Sequence, residues 1–425
     1  MRLIKSLSFS TFSSIVRLAA AMFTIPIIAR TLGPDQFGTF MLSMSLATLM
    51  TIASDFGMAP MLLREIGLAP DNSLAFINHA LSAKFVATAF SISASIALAT
   101  ILPADAQLPF FILLPAMLLD GFSEFFNAGL RAKSRYDIEA KCALSASLIN
   151  VVTISLTALI AQTLLSISVA YCITRGVNVI MSYRNMTSII GKPCLVSWAE
   201  SIKHLGKSTN YALDSALSSA FGQVDSLILN HWLGPAAVGI HQAGMRLFMA
   251  GTQAAAVLAN VFLPRTAAAH AKNPRALGTE TFRLQIAFVG IGCIIGLSMA
   301  YGAKNITKIM FGSDFTNLIA LMPWFGLLFF LKFSTAAWGI ILTATGHQRF
   351  RTVANATQWL VVAITAAYSV PGAGNIGWLI SLITGTITLY IIYILKATGS
   401  IKSRLLLTLL VSTISVSFLP ATIRS

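Results

Sequence analysis

The sequence predicts an all-α polytopic membrane protein with about twelve transmembrane helices and one further short C-terminal apolar segment. Three observations predict it. Of 425 residues, 56% are hydrophobic and only 10% are charged, where an ordinary soluble domain carries roughly 25% charged residues. The mean hydropathy is +0.79. Stretches of about 20 apolar residues, the length that crosses hydrocarbon, follow one another along the whole chain. At about 35 residues per span and loop, no room is left for a large soluble domain. This composition excludes a soluble globular protein and a disordered one. It also argues against an outer-membrane barrel, whose apolar signal alternates and is weak in each segment.

The spans run in order. The first, 10–29, follows Arg2 and Lys5 and is interrupted by Arg17. Apolar sequence continues to Ile28, so it reads as an uncleaved span, not a signal peptide. Next come 37–54, 80–102, 108–130, 142–162 and 164–183. The second group is 208–231, 237–263, 283–302, 318–345, 352–371 and 374–395. The stretch 405–420 is shorter and rich in Ser and Thr, and either spans thinly or lies in the interface. The expected organisation is a six-helix lobe over 1–184, a basic cytoplasmic linker over 185–207, a second six-helix lobe over 208–396 and a tail over 397–425.

Charge sets the orientation. With the N-terminus in the cytoplasm, twenty Lys and Arg residues fall in inside segments and three, Arg30, Lys304 and Lys308, fall outside. Basic residues concentrate in cytoplasmic loops, so this bias supports both the span count and the direction. It also accounts for the net charge of +15 without nucleic acid as a partner. The four cysteines, Cys142, Cys172, Cys194 and Cys293, are widely separated and suggest neither disulfides nor a metal site.

The chain repeats itself. Leu32-Gly33-Pro34 follows the first span and Gly38 opens the second; Leu233-Gly234-Pro235 follows the seventh and Gly239 opens the eighth. Arg135-Tyr136 and Arg349-Phe350 form a second echo. Six spans per copy is an even number, so both halves insert in the same direction, a parallel repeat of the kind transporters use.

Charged residues inside the spans mark the candidate site. Arg17, Lys84, Arg175, Arg246 and Lys332 are cations there, and Asp120, Glu124, Asp214 and Asp225 are acids. A central Arg or Lys costs roughly 2.5–3.5 kcal/mol on insertion scales, so these groups should face water, acids or one another. Lys84 lies near a span end, where it can snorkel to the interface. At about 100° per residue, polar residues gather on single helix faces. One face holds Gln242, Arg246, Gln253 and Asn260; another holds Asp120, Glu124, Asn127 and Arg131. Asn210, Asp214 and Asp225 share a third, and Tyr171, Arg175, Asn178 and Ser182 a fourth.

Such faces line an aqueous cavity or hold helices together through hydrogen bonds. Arg17, Arg246, Arg175 and Lys332 are candidate ligands for a phosphate-bearing anion, because guanidinium pairs with phosphate through two parallel hydrogen bonds. The alternative for Arg17 and Arg246 is an ion pair with Asp225 or Asp214. Asp225, Asp214, Asp120 and Glu124 are either such partners or carriers of a coupling H⁺ or Na⁺. Gln242, Gln253, Asn210 and Asn178 are candidate polar lining. No catalytic constellation or nucleotide-binding motif stands out, the six histidines are dispersed, and no cofactor is expected.

Ala29-Arg30-Thr31-Leu32-Gly33-Pro34-Asp35-Gln36-Phe37-Gly38 resembles the first external turn of Wzx-type polysaccharide flippases, members of the multidrug/oligosaccharidyl-lipid/polysaccharide (MOP) exporter superfamily. Asp55-Phe56-Gly57, Leu63-Arg64-Glu65-Ile66, Arg131-Ala132-Lys133-Ser134-Arg135-Tyr136 and Phe311-Gly312-Ser313-Asp314-Phe315 are similar to later loops of that family.

The resemblance implies two six-helix lobes in a V around a central cavity, as in the multidrug exporters of the superfamily. It implies alternating access and transfer of undecaprenyl-diphosphate-linked oligosaccharide, for O-antigen or a related lipopolysaccharide or surface polymer, to the periplasmic leaflet. It further implies a bacterial inner-membrane location, contact with membrane lipids, and a polysaccharide polymerase and chain-length regulator as partners. Two competing readings are a multidrug or cation antiporter of the same superfamily and a membrane polysaccharide polymerase or glycosyltransferase. The antiporter should have an acidic or aromatic cavity, and the enzyme a large external loop that this chain lacks.

Overall fold

The computed structural model describes residues 2–100, 102–197 and 222–400. Among them are twelve α-helices and no strand. They are α1 (Arg2–Asp55), α2 (Met58–Leu68), α3 (Ser73–Ala99), α4 (Ala104–Ala132), α5 (Tyr136–Ile160) and α6 (Leu164–Ile190). Then come α7 (Val224–Leu233), α8 (Pro235–Lys272), α9 (Pro274–Tyr301), α10 (Ala303–Met310), α11 (Thr316–Ala344) and α12 (Gln348–Ser400). Among the described residues, eight segments are long and apolar enough to cross a membrane. The chain is a multi-pass membrane protein of all-α fold. The segment 405–420 lies outside the described residues.

Two pairs of expected spans are joined into single bent helices. α1 carries 10–29 and 37–54 and breaks at Gly33, with φ 70° and ψ 173°. α12 carries 352–371 and 374–395 and breaks at Gly374, with φ 57° and ψ −135°. Gly234 ends α7 with φ 82° and ψ 179°. The echo of Leu-Gly-Pro in the sequence is therefore also an echo in the backbone. At both sites glycine takes a conformation closed to L side chains, and the proline after it lacks the N–H that a new helix would leave unbonded.

Two stretches expected to be loops are short helices. In α2, Met58, Met61, Leu62 and Ile66 are buried against Ile77 and Leu81 of α3 and Phe125 and Leu130 of α4. Their spacing puts them on one helical face. α10 covers the connection that holds Lys304 and Lys308.

The helices gather into two units, residues 1–243 and 244–425. In the first, α7 and the start of α8 join α1. A Cβ on Gly38 would stand 1.8 Å from the Pro235 carbonyl oxygen, and one on Gly239 would stand 2.1 Å from that of Pro34. The two copies of the motif therefore clasp each other backbone to backbone, an approach only small residues permit in packed spans. Past α6, the backbone N–H of Cys194 donates to Asn78 Oδ1 at 2.8 Å and that of Val196 to Ser82 Oγ at 2.9 Å, which ties the segment to α3. In the second unit, phenylalanines pack α11 against its neighbours. Phe329 stacks on Phe333 at 4.5 Å, with Phe288 of α9 5.8 Å from Phe333 and Phe248 of α8 5.7 Å from Phe329.

Candidate functional site

The first unit brings its intramembrane charges together in pairs. Arg17, midway along the first half of α1, donates through Nη2 to Glu139 Oε1 at 2.9 Å and to Ser13 Oγ at 3.4 Å. Glu139 stands in the first turn of α5, where the helix dipole favours a carboxylate. The same Oε1 accepts from Arg131 Nη1 at 3.0 Å. Arg131, in the last turn of α4, turns its Nη2 to Glu124 one helical face back. Three helices thus share a chain of alternating charge, Arg17–Glu139–Arg131–Glu124. Arg17 and Glu124 are 42% and 47% exposed at their side chains, whereas Glu139 is 3% exposed.

A second pair lies close by. Lys84 Nζ of α3 donates to Asp55 Oδ1 at the end of α1. The ammonium also lies 5.0 Å from the ring centre of Phe122 and 6.0 Å from that of Phe125. Lys84 is 1% exposed and Asp55 41%. A small pocket lined by Asp55, Met58, Lys84, Gly121 and Glu124 links this pair to the charge chain through Glu124. A third pair joins α6 to α4. Arg175 Nη1 donates to Asp120 Oδ1 at 2.9 Å and Nη2 to Tyr171 Oη at 2.6 Å, with the guanidinium 4.7 Å from the Tyr171 ring centre.

Asp225 of α7 is buried and held mainly by neutral donors. Gln242 Nε2 reaches both its oxygens at 3.3 Å, the Ser226 N–H donates at 2.7 Å, and His241 Nε2 stands 3.3 Å from Oδ2. Gln242 also donates to Ser226 Oγ, which meets Ser45 Oγ of α1 at 3.0 Å. This polar knot lies between the same elements as the Gly38–Gly239 crossing.

Of the residues expected from sequence, Arg17, Arg175, Asp120 and Glu124 are each placed in an ion pair, and Asp225 meets Gln242. Among the described residues the partner of Arg17 is Glu139, not Asp225. Lys84 does not snorkel; it is buried on Asp55. Asn178 is half-buried on α6. In the second unit, Arg246 and Lys332 are half-buried on α8 and α11, Gln253 is exposed on α8, and no carboxylate lies within ion-pair distance of Lys332 among the described residues. Asn210 and Asp214 lie outside the described residues. Sequence reasoning missed Glu139 and Asp55. Glu139 falls between the expected spans 108–130 and 142–162, and Asp55 directly after the span 37–54. A signal was present, since each stands at the end of a span whose neighbour carries an intramembrane cation.

The chemistry on offer is anion binding by guanidinium groups, of which Arg17, Arg131 and Arg175 are each answered by a carboxylate. Among the described residues, no group of three or more His, Cys, Asp or Glu side chains could hold a metal ion.

A family model described as polysaccharide biosynthesis protein matches residues 3–270. No curated protein sequence matches the chain. Solved structures of the same fold include the lipid II flippase MurJ in an inward closed conformation. It is 13% identical, with a TM-score of 0.72, over 93% of this chain and 88% of that one. A multidrug resistance MATE family transporter of the MOP superfamily, inward-facing, is 16% identical with a TM-score of 0.68, over 92% of this chain and 99% of that one. An outward-facing MATE family transporter of the MOP superfamily is 16% identical with a TM-score of 0.58, over 94% of this chain and 95% of that one.

Proposed function

The chain belongs to the polysaccharide biosynthesis protein family, and from that premise we propose that it carries undecaprenyl-diphosphate-linked oligosaccharide, an O-antigen or related repeat unit, from the cytoplasmic to the periplasmic leaflet of the inner membrane by alternating access. The observation that carries this reading is Arg17, a guanidinium on an apolar span with two-fifths of its side chain exposed. A lipid chain fixes the cargo at membrane depth, and its diphosphate is the anion a guanidinium fork binds best. Arg175, Arg246 and Lys332 would extend the same attraction along the path. Asp120, Glu124, Asp214 and Asp225 remain candidates for a coupling H⁺ or Na⁺. A polymerase and a chain-length regulator would receive the product on the far side.

The test replaces the chromosomal gene with Arg17→Ala, Arg246→Ala and the double variant. Surface polysaccharide and membrane-protein level are then measured together. The expected result is normal accumulation with loss of surface polysaccharide, and partial retention in the Arg→Lys versions. Full display from a well-expressed double variant refutes the reading. A multidrug antiporter, suggested by the MATE likeness, would instead change susceptibility to cationic drugs and leave the polysaccharide intact.

A further inference from the structure

Resting on the reading that the cargo carries a diphosphate, we propose that Arg17 and Arg131 are the two arms of a diphosphate site and that Glu139 is its built-in competitor, which keeps affinity low enough for release. Nothing in the sequence motifs points to Arg131 or Glu139 in this role. The geometry does. Two guanidiniums from α1 and α4 converge on one oxygen, Glu139 Oε1, at 2.9 and 3.0 Å. That is the arrangement a shared phosphoryl oxygen would require.

Neither arginine spends its planar fork on Glu139. Arg17 reaches it through Nη2 alone, and Arg131 divides its two terminal nitrogens between Glu139 and Glu124. A purely structural pair gains most from parallel, two-point contact. Single-point contact leaves donors for an anion with more oxygens.

Charge then explains release. Two arginines and two glutamates cancel. An incoming diphosphate adds at least two negative charges and has to displace carboxylates. Glu124 is half exposed and has room to swing away from Arg131. Glu139 is buried at the root of α5 and has nowhere to go. It stays beside the bound diphosphate and repels it, so the site holds its cargo only briefly. Like charges in a partly desolvated setting interact strongly enough to matter at this range.

The experiment uses the full-length chain in nanodiscs of zwitterionic lipid, with farnesyl diphosphate, farnesyl monophosphate and inorganic pyrophosphate as probes. Glu139→Gln should tighten farnesyl diphosphate binding about tenfold and slow polysaccharide export in cells. Arg131→Gln should weaken binding by about the same factor. The monophosphate should bind more weakly than the diphosphate and respond less to Glu139→Gln. If Glu139→Gln does not accumulate, Glu139→Asp, which withdraws the carboxylate by one methylene, carries the same expectation of tighter binding.

Unchanged or weaker binding in the Glu139 variant, with export still dependent on the chain, overturns the competitor while leaving the flippase reading intact. Pyrophosphate binding as tightly as the prenyl compound, with the Glu139 effect preserved, upholds the site. It would assign the site to a soluble anion and overturn the lipid-linked cargo.

Discussion

Lys84 and Asp55 form a pair whose two members should behave very differently when removed. Lys84 is 1% exposed and Asp55 is 41% exposed. Asp55→Ala strands an ammonium inside α3, α4 and the end of α1. Its remaining neighbours include the Phe122 and Phe125 rings at 5.0 and 6.0 Å. Ring contacts of this kind contribute about 0.5–2 kcal/mol. Losing one partner of a buried pair costs about 3–5 kcal/mol. Asp55→Ala should therefore lose about 3 kcal/mol net.

Lys84→Met keeps the length and the apolar stem and leaves a carboxylate that is 41% exposed at the end of its helix. That loss should stay below about 1 kcal/mol, as for exposed pairs. The double variant, Asp55→Ala with Lys84→Met, removes the stranded charge and should recover most of the difference. At roughly 2 °C per kcal/mol for a long chain, the two single variants should differ by about 4 °C in apparent Tm. A thermal ramp of detergent-solubilised protein, read by the monomer peak on size exclusion, measures it. Equal losses from both single variants, or a double variant no better than Asp55→Ala, would refute the reasoning.

Two further outcomes follow from the fold and the charge pattern. Gly38→Ala and Gly239→Ala should each destabilise by about 1–3 kcal/mol, because each new methyl meets a carbonyl oxygen and pushes the backbones apart. Once the crossing has opened, the second methyl costs less, so the thermal shift of the double variant should fall short of the sum of the two. Single cysteines at Gly234 should be labelled from outside sealed cells and those at Lys203 and Arg349 should not; efficient labelling at 203 or 349 would reverse the assigned orientation.

The long apolar helices among the described residues were legible from apolar length, because the spacing of membrane spans is set by hydrocarbon thickness, whereas the short helices α2 and α10 were not. The breaks at Gly33 and Gly234 were legible as turns because glycine before proline interrupts a helix in a recognisable way. That α1 runs on through Gly33 was not legible, since composition does not distinguish a bend from a loop. Polar faces were legible from periodicity, but periodicity names a face and not the helix opposite. Arg17 and Glu139 are 122 residues apart, and only the packing of α1 on α5 pairs them. Lys84 illustrates the same limit. Its depth in the span fitted snorkelling, and its burial depends on an aspartate 29 residues earlier and on two aromatic rings of α4.

The clasp between Gly38 and Gly239 has a consequence for inheritance. A residue in a membrane span can ordinarily change as long as its own neighbours tolerate the new side chain. The two Leu-Gly-Pro-x-x-x-Gly copies are different, because each is part of the other's environment. A side chain gained at 38 collides with Pro235, and one gained at 239 collides with Pro34. Neither glycine can change alone without displacing the backbone of the other copy, so mutual contact holds both positions to glycine.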